Sequence, residues 1–390
     1  MREVLHTISL EDGDFLKKDH TLEGRSVLPD NANWSVTKRT LCGGRQEGVI
    51  CFDLINGPLR ITVSPTRGFG IISASYNGVE LAWKSPIKEV VNPAYINLES
   101  RGGLGWLEGF SEWMCRCGLE WSGHPGMDEY IDNTGKKEQM QLTLHGKVAN
   151  IPGKNTMLRI ERDTRGQIFL VIAGLVEERV FHGPKLDLQA EIHTELGTHT
   201  FTIQDTVTNK SSQPQEMQML YHCNFGDPLL SENTKFIAAI KKADPFNSRA
   251  AEGMHTMTGF EPPTPGFIEQ VYNIHLHADA NGKTAVMLAN EHAKQAVSMD
   301  FSINELPCFT LWKNTDAPED GYVTGLEPGT SFASNRSKQR KEGLVPVLAA
   351  GESRTMNVSI TPMDTVEQIE ATKERIHALV PVDKPASQAL

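Results

Sequence analysis

No stretch of this 390-residue sequence is apolar for long enough to cross a bilayer as a helix, and the opening MREVLHTISLEDGD lacks the apolar run of a secretory signal. Basic charge is short as well: 38 Lys and Arg stand against 49 Asp and Glu, a net charge of −11. That balance argues against nucleic acid or an anionic membrane as a partner. Cysteine is sparse and scattered, at Cys42, Cys51, Cys115, Cys117, Cys223 and Cys308. The one close pair, Cys115-Arg116-Cys117, has neither C-x-x-C spacing nor a matching second pair, so zinc spacing is missing. There is no G-x-S-x-G elbow, no P-loop and no G-x-G-x-x-G turn opening a helix, so nothing implies a nucleotide cofactor. Alternating helices, sequence repeats and low-complexity runs are also lacking. The expectation left is a soluble, cytoplasmic protein with reduced, mostly buried thiols.

What the sequence does have is period-two alternation, the mark of half-buried strands. Runs at 49–55 and 59–64 flank the turn Asn56-Gly57-Pro58, and Asn77-Gly78 is a hairpin signal between 71–76 and 79–83. Further strands are predicted at 157–162, 168–181, 186–195, 199–209, 216–222, 270–278, 283–290, 296–301, 309–313 and 354–361. So many strands joined by short turns mean an antiparallel sandwich or barrel. In HTFTIQDTV, Phe201, Ile203, Asp205 and Val207 share one face, so Asp205 needs a hydrogen-bond partner among apolar neighbours. One helix is expected near the C-terminus, opened by a capping box at Asp364 and Glu367, with Val366, Ile369, Ile376 and Val380 as its apolar stripe. The predicted layout is an irregular extension over 1–45, with a short helix at 14–18, then a β domain over 46–363. The helix and a frayed polar tail occupy 364–390. Residues 85–132 and 244–266 read as irregular insertions, the first anchored by Trp106, Trp113 and Trp121, which are too apolar to leave in water.

Three residues stand out for chemistry. Glu327 follows the alternation of GYVTGLEPGT on the side of Val323, and Pro328-Gly329 should end that strand just after it. A carboxylate there is either an ordinary exposed strand-end group or, partly desolvated, a general base. His145, in LTLHGKVANIPG, and His222, in QMLYHCNFGDPLL, each close a strand ahead of a Gly- or Pro-containing turn. Each alone reads as readily as a hydrogen-bonded structural residue. Together with a glutamate they suit acid–base work near neutral pH. His275 and His277 share a strand face, but without a third ligand at a readable spacing a solvated face is preferred to a metal site. His124, in SGHPG, is a loop residue without an assigned role.

The segments PTRGFGI (65–71), CGLEWSGHPG (117–126), LHGKVANIPG (144–153), QDTVTN (204–209), LYHCNFGDPLL (220–230), IEQVY (268–272), PCFTLWKN (307–314) and YVTGLEPGT (322–330) occur in the order of one family. In them the sequence resembles the aldose 1-epimerase (galactose mutarotase) superfamily, and within it an uncharacterised epimerase-like branch. The resemblance implies an all-β fold, a large antiparallel β supersandwich with a short C-terminal helix. It implies that His145 helps hold a sugar, that His222 is the general acid, that Glu327 is the general base and that Glu269 holds sugar hydroxyls. The family's G-R-x-A-N-R motif is absent, which leaves Arg67 and Arg116 as candidates for the sugar-contacting arginine. Asn224 and Trp106 complete the expected substrate-binding set, and the long Trp-rich segment points away from galactose itself. The implied function is a cofactor-free, metal-free interconversion of sugar anomers by acid–base ring opening, in a monomer or homodimer whose partner is a small carbohydrate. A carbohydrate-binding protein without turnover, or a mutarotase for sugar phosphates, are the alternatives.

Overall fold

Alternation is cleanest in the strand Phe201–Asn209, where Phe201, Ile203, Asp205 and Val207 are buried and the residues between them are half-exposed. Successive side chains of a strand point to opposite faces, so such a strand has one face on a core and one outside it. The computed structural model, which describes residues 2–290, 292 and 294–381, assembles strands of this kind into a nine-stranded and a twelve-stranded antiparallel sheet. The nine-stranded sheet runs from Arg2–Ser9 at one edge, through Phe201–Asn209 and Ser353–Met363, to Thr234–Ala238 at the other. The twelve-stranded sheet runs from Ile240–Pro245 through Gln270–Leu276, Cys308–Thr315, Tyr322–Gly329, Gln218–Phe225 and Met114–Leu119 toward His20–Glu23. The two pack face to face over one large apolar core, the supersandwich that the sequence implied. All six cysteines are free thiols, and five are buried.

A buried ion pair crosses that core. Arg116 of the twelve-stranded sheet and Asp205 of the nine-stranded sheet are both fully buried, and they meet through two hydrogen bonds of 2.6 and 2.9 Å. The guanidinium also bonds the carbonyl of Phe69. Asp205 therefore finds the partner its apolar setting demanded, and Arg116 is committed between the sheets.

Several boundaries differ from the sequence reading. The first 45 residues are not simply irregular: Arg2–Ser9 forms an edge of one sheet, while His20–Glu23 and Trp34–Thr40 extend the other. Arg2–Ser9 and His20–Glu23 are edge strands with no buried residue, so they carry little hydrophobic periodicity, whereas Trp34–Thr40 is an inner strand that does alternate. The helix expected at 14–18 is a single 3-10 turn, Gly13–Leu16. Within 85–132 the strand Met114–Leu119 went unseen because every residue in it is buried, and a strand buried on both faces does not alternate. The C-terminal helix is Val366–His377, capped one residue later than expected: the Thr365 side chain accepts from the Gln368 amide. Ile369 and Ile376 pack on Ala285, Met287 and Ala289 of the nine-stranded sheet, whereas Val366 and Val380 stay exposed. The tail expected to fray, 383–390, lies outside the described residues.

Removing one member of the buried pair leaves the other charge uncompensated, a loss of about 3–5 kcal/mol. Arg116→Met should therefore lower the denaturant midpoint by that equivalent, and adding Asp205→Leu should recover part of it. A midpoint within about 1 kcal/mol of the parent would mean that the pair does not hold the sheets together.

Candidate active site

Four adjacent strands of the twelve-stranded sheet, Gln270–Leu276, Cys308–Thr315, Tyr322–Gly329 and Gln218–Phe225, each send alternate residues two ways. Tyr272, Leu311, Leu326 and Cys223 enter the main core. From the opposite face Val271, Thr310, Trp312, Glu327 and His222 line a cavity of about 290 Å³. Small-molecule sites begin near ~300 Å³, so the space suits a ligand of monosaccharide size. Its walls are completed by the irregular segment bearing Trp106 and Phe110 and by the turn bearing His145. Trp83, Trp106, Phe110 and Val323 form a separate apolar cluster there that dries this outer face.

His222 and Glu327 meet inside this cavity, with Nε2 3.2 Å from Oε1, and both side chains are almost wholly buried. The histidine tautomer follows from its neighbours. Asn224 Nδ2 donates to the carbonyls of Glu112 and His222, both at 3.1 Å. Its Oδ1 must then face the His222 ring, 2.7 Å from Nδ1. Nδ1 consequently carries the hydrogen, and Nε2 is left to exchange a proton with Glu327. Burial pushes Glu327 well above the ordinary carboxyl range, and the negative charge of Glu269 adds to the rise. Burial also pushes His222 well below the usual histidine value, His145 adds to the fall and the Asn224 bond opposes it. Both shifts disfavour separated charges, so the pair holds one proton between its two members.

His145 sits in the left-handed region at φ 58°, and Gly146 follows at φ 72°. A Cβ on Gly146 would lie 2.2 Å from the carbonyl oxygen of Trp121, so this turn needs glycine. The His145 Nδ1–H donates to the Ser122 carbonyl at 2.9 Å, which makes Nε2 an acceptor. Burial drives this imidazole down to about 4, so it is neutral at pH 7. Its ring centroid lies 4.7 Å from that of Trp106 and 5.3 Å from that of His222.

The structure brings together His145, His222, Glu327, Glu269 and Trp106 among the expected residues. His145 sits in the turn just after the strand Lys137–Leu142, as the sequence suggested, but the other two do not end their strands. His222 and Glu327 lie within theirs, and the second strand continues through Pro328, in register with Phe309, to Gly329. Glu269 is exposed at the cavity rim, where its carboxylate accepts from Trp312 Nε1 at 2.8 Å. Three expectations of direct sugar contact need correction. Arg67 is buried against Glu112 at 2.7 Å and against Asn150 and the Gly109 carbonyl, and Arg116 is spent on Asp205. Asn224 is fully buried and serves the His222 ring. Of the other tryptophans, Trp113 packs between Phe201 and Phe225 in the main core, and the Trp121 indole donates to the Thr143 carbonyl. His275 lies edge-on to Phe332, and no metal-ligating group of three or more side chains occurs among the described residues. Another cavity of about 300 Å³, beside Lys84, Asp227 and Tyr322, has an exposed ion pair in its lining and no buried acid–base pair.

The sequence reading missed Trp312 and Gly325. Gly325 faces the cavity two residues before Glu327, and a Cβ there would lie 2.6 Å from Glu327 Oε1 and 3.3 Å from His222 Cε1. The one available signal was a glycine inside a strand, which often marks a close approach.

Fold and cavity define a galactose mutarotase-like supersandwich. A "putative aldose 1-epimerase" from Klebsiella pneumoniae subsp. pneumoniae is 36% identical over 98% of this chain and 97% of its own, with a TM-score of 0.87. A galactose mutarotase-like protein from Clostridium acetobutylicum shares the fold at 15% identity and TM-score 0.57, over 85% of this chain and 98% of its own. A "putative aldose 1-epimerase" from Escherichia coli K12 does so at 16% and 0.52, over 81% of this chain and 99% of its own. The model of a family described as a domain of unknown function, DUF4432, matches residues 46–361, and the chain belongs to that family. A search of curated proteins finds no match.

Gly325→Ala tests whether the contact geometry matters. The added methyl should push the Glu327 carboxylate away from His222, and any acid–base turnover the pair supports should fall by roughly 100-fold, the scale of an ångström-sized misplacement. The thermal midpoint should change little. Unaltered turnover would mean that the pair has no fixed geometry to lose.

Proposed function

We propose that this protein is a cofactor-free aldose 1-epimerase that interconverts the anomers of a cyclic sugar. The observation that carries the reading is the buried 3.2 Å contact between His222 and Glu327 at a cavity of monosaccharide size.

One shared proton suffices for the chemistry. With the proton on His222, the Glu327 carboxylate takes the hydrogen of the anomeric hydroxyl while His222 Nε2–H protonates the ring oxygen. The C1–O5 bond breaks and C1 becomes an aldehyde. The pair again holds one proton, now on Glu327, the distribution that burial favours. Rotation about C1–C2 presents the other face of the aldehyde. Reclosure runs the transfers backward, with His222 accepting from the C5 hydroxyl and Glu327 protonating the carbonyl oxygen. His145, a neutral acceptor, orients a sugar hydroxyl. The six free thiols suit a reducing compartment, and the cytoplasm is the location we propose.

Glu327→Gln and His222→Asn should each lower kcat by roughly 10²–10⁴-fold, the usual worth of a positioned acid or base, with sugar binding retained. Polarimetry or exchange NMR on freshly dissolved sugars reads this directly, and near-native rates in either variant would remove that residue from the mechanism. The pH profile should be a plateau across neutrality. On the acid side it falls when the depressed histidine lets the pair gain a second proton. On the alkaline side it falls when the elevated carboxyl lets the pair lose its last one. A rate climbing steadily with pH through neutrality would contradict a shared proton.

A further inference from the structure

The cavity is one-sided in charge at its buried end, and its one exposed histidine, His124, stacks on Phe246 in the wall. Its carboxyl groups are Glu327 and Glu269, and none of its lining side chains among the described residues belongs to a lysine or arginine. The buried guanidiniums of Arg67 and Arg116 are already neutralised by Glu112 and Asp205 and do not line the cavity. His145 offers an acceptor, because its N–H is given to Ser122. Glu269 offers acceptors too, and Trp312 Nε1 pins its carboxylate at the rim. A phosphate or carboxylate entering here would meet lone pairs and like charge, having lost its water. Hydroxyl groups and ammonium groups, which donate, would be satisfied.

The walls reinforce the asymmetry. Trp106, Phe110 and Trp312 surround the pair, with the His222 ring 5.3 Å from Phe110 and 5.4 Å from Trp312. Aromatic faces attract a cation as well as the C–H edges of a sugar. A cation between the rim and the interior would also ease the repulsion between Glu269 and Glu327, which favours the ionised form in which Glu327 acts as base.

Resting on the epimerase reading of this cavity, we propose that its preferred ligand is a monosaccharide bearing a protonated amine, with neutral sugars weaker and phosphorylated or carboxylated sugars excluded, and that Glu269 sets this order. The discrimination is electrostatic, so it weakens as salt rises.

The test is titration of the full-length protein with glucosamine, glucose and glucose 6-phosphate at about pH 6.5, where the amine is protonated. Tryptophan fluorescence and calorimetry both read binding without requiring turnover. Affinity should fall in that order, with at least about tenfold between the first and last at low ionic strength and a narrower spread in roughly 0.5 M NaCl. Glu269→Gln, a change at an exposed position, should bring glucosamine and glucose 6-phosphate to within about threefold of each other. Glucose 6-phosphate binding as tightly as glucosamine, an order unchanged in Glu269→Gln, or binding of none of the three would each overturn the proposal. If the order holds while no anomer exchange is accelerated, the charge preference stands and the epimerase reading falls. Equal acceleration of neutral and phosphorylated sugars would do the reverse.

Discussion

Everything at the candidate site depends on the twelve-stranded sheet being covered on both of its faces. Strands Met114–Leu119, Gln218–Phe225 and Tyr322–Gly329 have every residue buried, which requires a second apolar layer opposite the main core. Trp83, Trp106 and Phe110 supply that layer. Their segment has little regular structure, yet it removes water from a face that would otherwise be solvated. Without it Glu327 and His222 would be an ordinary exposed acid and base with ordinary charges. Under it, charge separation is costly, and the two settle on one proton.

Precision then comes from groups that never meet a ligand. Arg67 holds the Glu112 side chain, the Glu112 carbonyl fixes the Asn224 amide, and Asn224 fixes the tautomer of His222. Glycine does the same by omission, since Gly325 leaves the space in which Glu327 approaches the imidazole and Gly146 lets the His145 turn press against the backbone of Trp121. These are backbone and buried-polar constraints, the kind that leave little room for a side chain to wander.

The same economy shapes the electrostatics. The chain is acidic overall, and the arginines closest to the site are consumed in structural pairs. The buried histidines His145 and His222 are neutral and the two carboxyl groups are Glu327 and Glu269, so the cavity holds no lysine or arginine charge to meet an anion. In place of any arginine the cavity has aromatic walls and a rim glutamate bonded to an indole.

The amino-acid sequence by itself determined the β class, the hairpins at Asn56-Gly57 and Asn77-Gly78, and most strands from Ile50 onward, because alternation and turn chemistry are local signals. It also singled out His145, His222 and Glu327, which the fold brings to one cavity across 182 residues of chain, from 145 to 327. Local reading misplaced what depends on two covered faces or on distant partners. Met114–Leu119 has no alternation to read, Pro328 continues a strand whose flanking residues still pair, and Arg116 looked available because its partner Asp205 lies 89 residues away. Whether Glu327 is a solvated strand-end carboxylate or a buried, desolvated one was open in the sequence. Tertiary structure decided it, since desolvation is a property of what packs above a residue and not of the residues beside it in the chain.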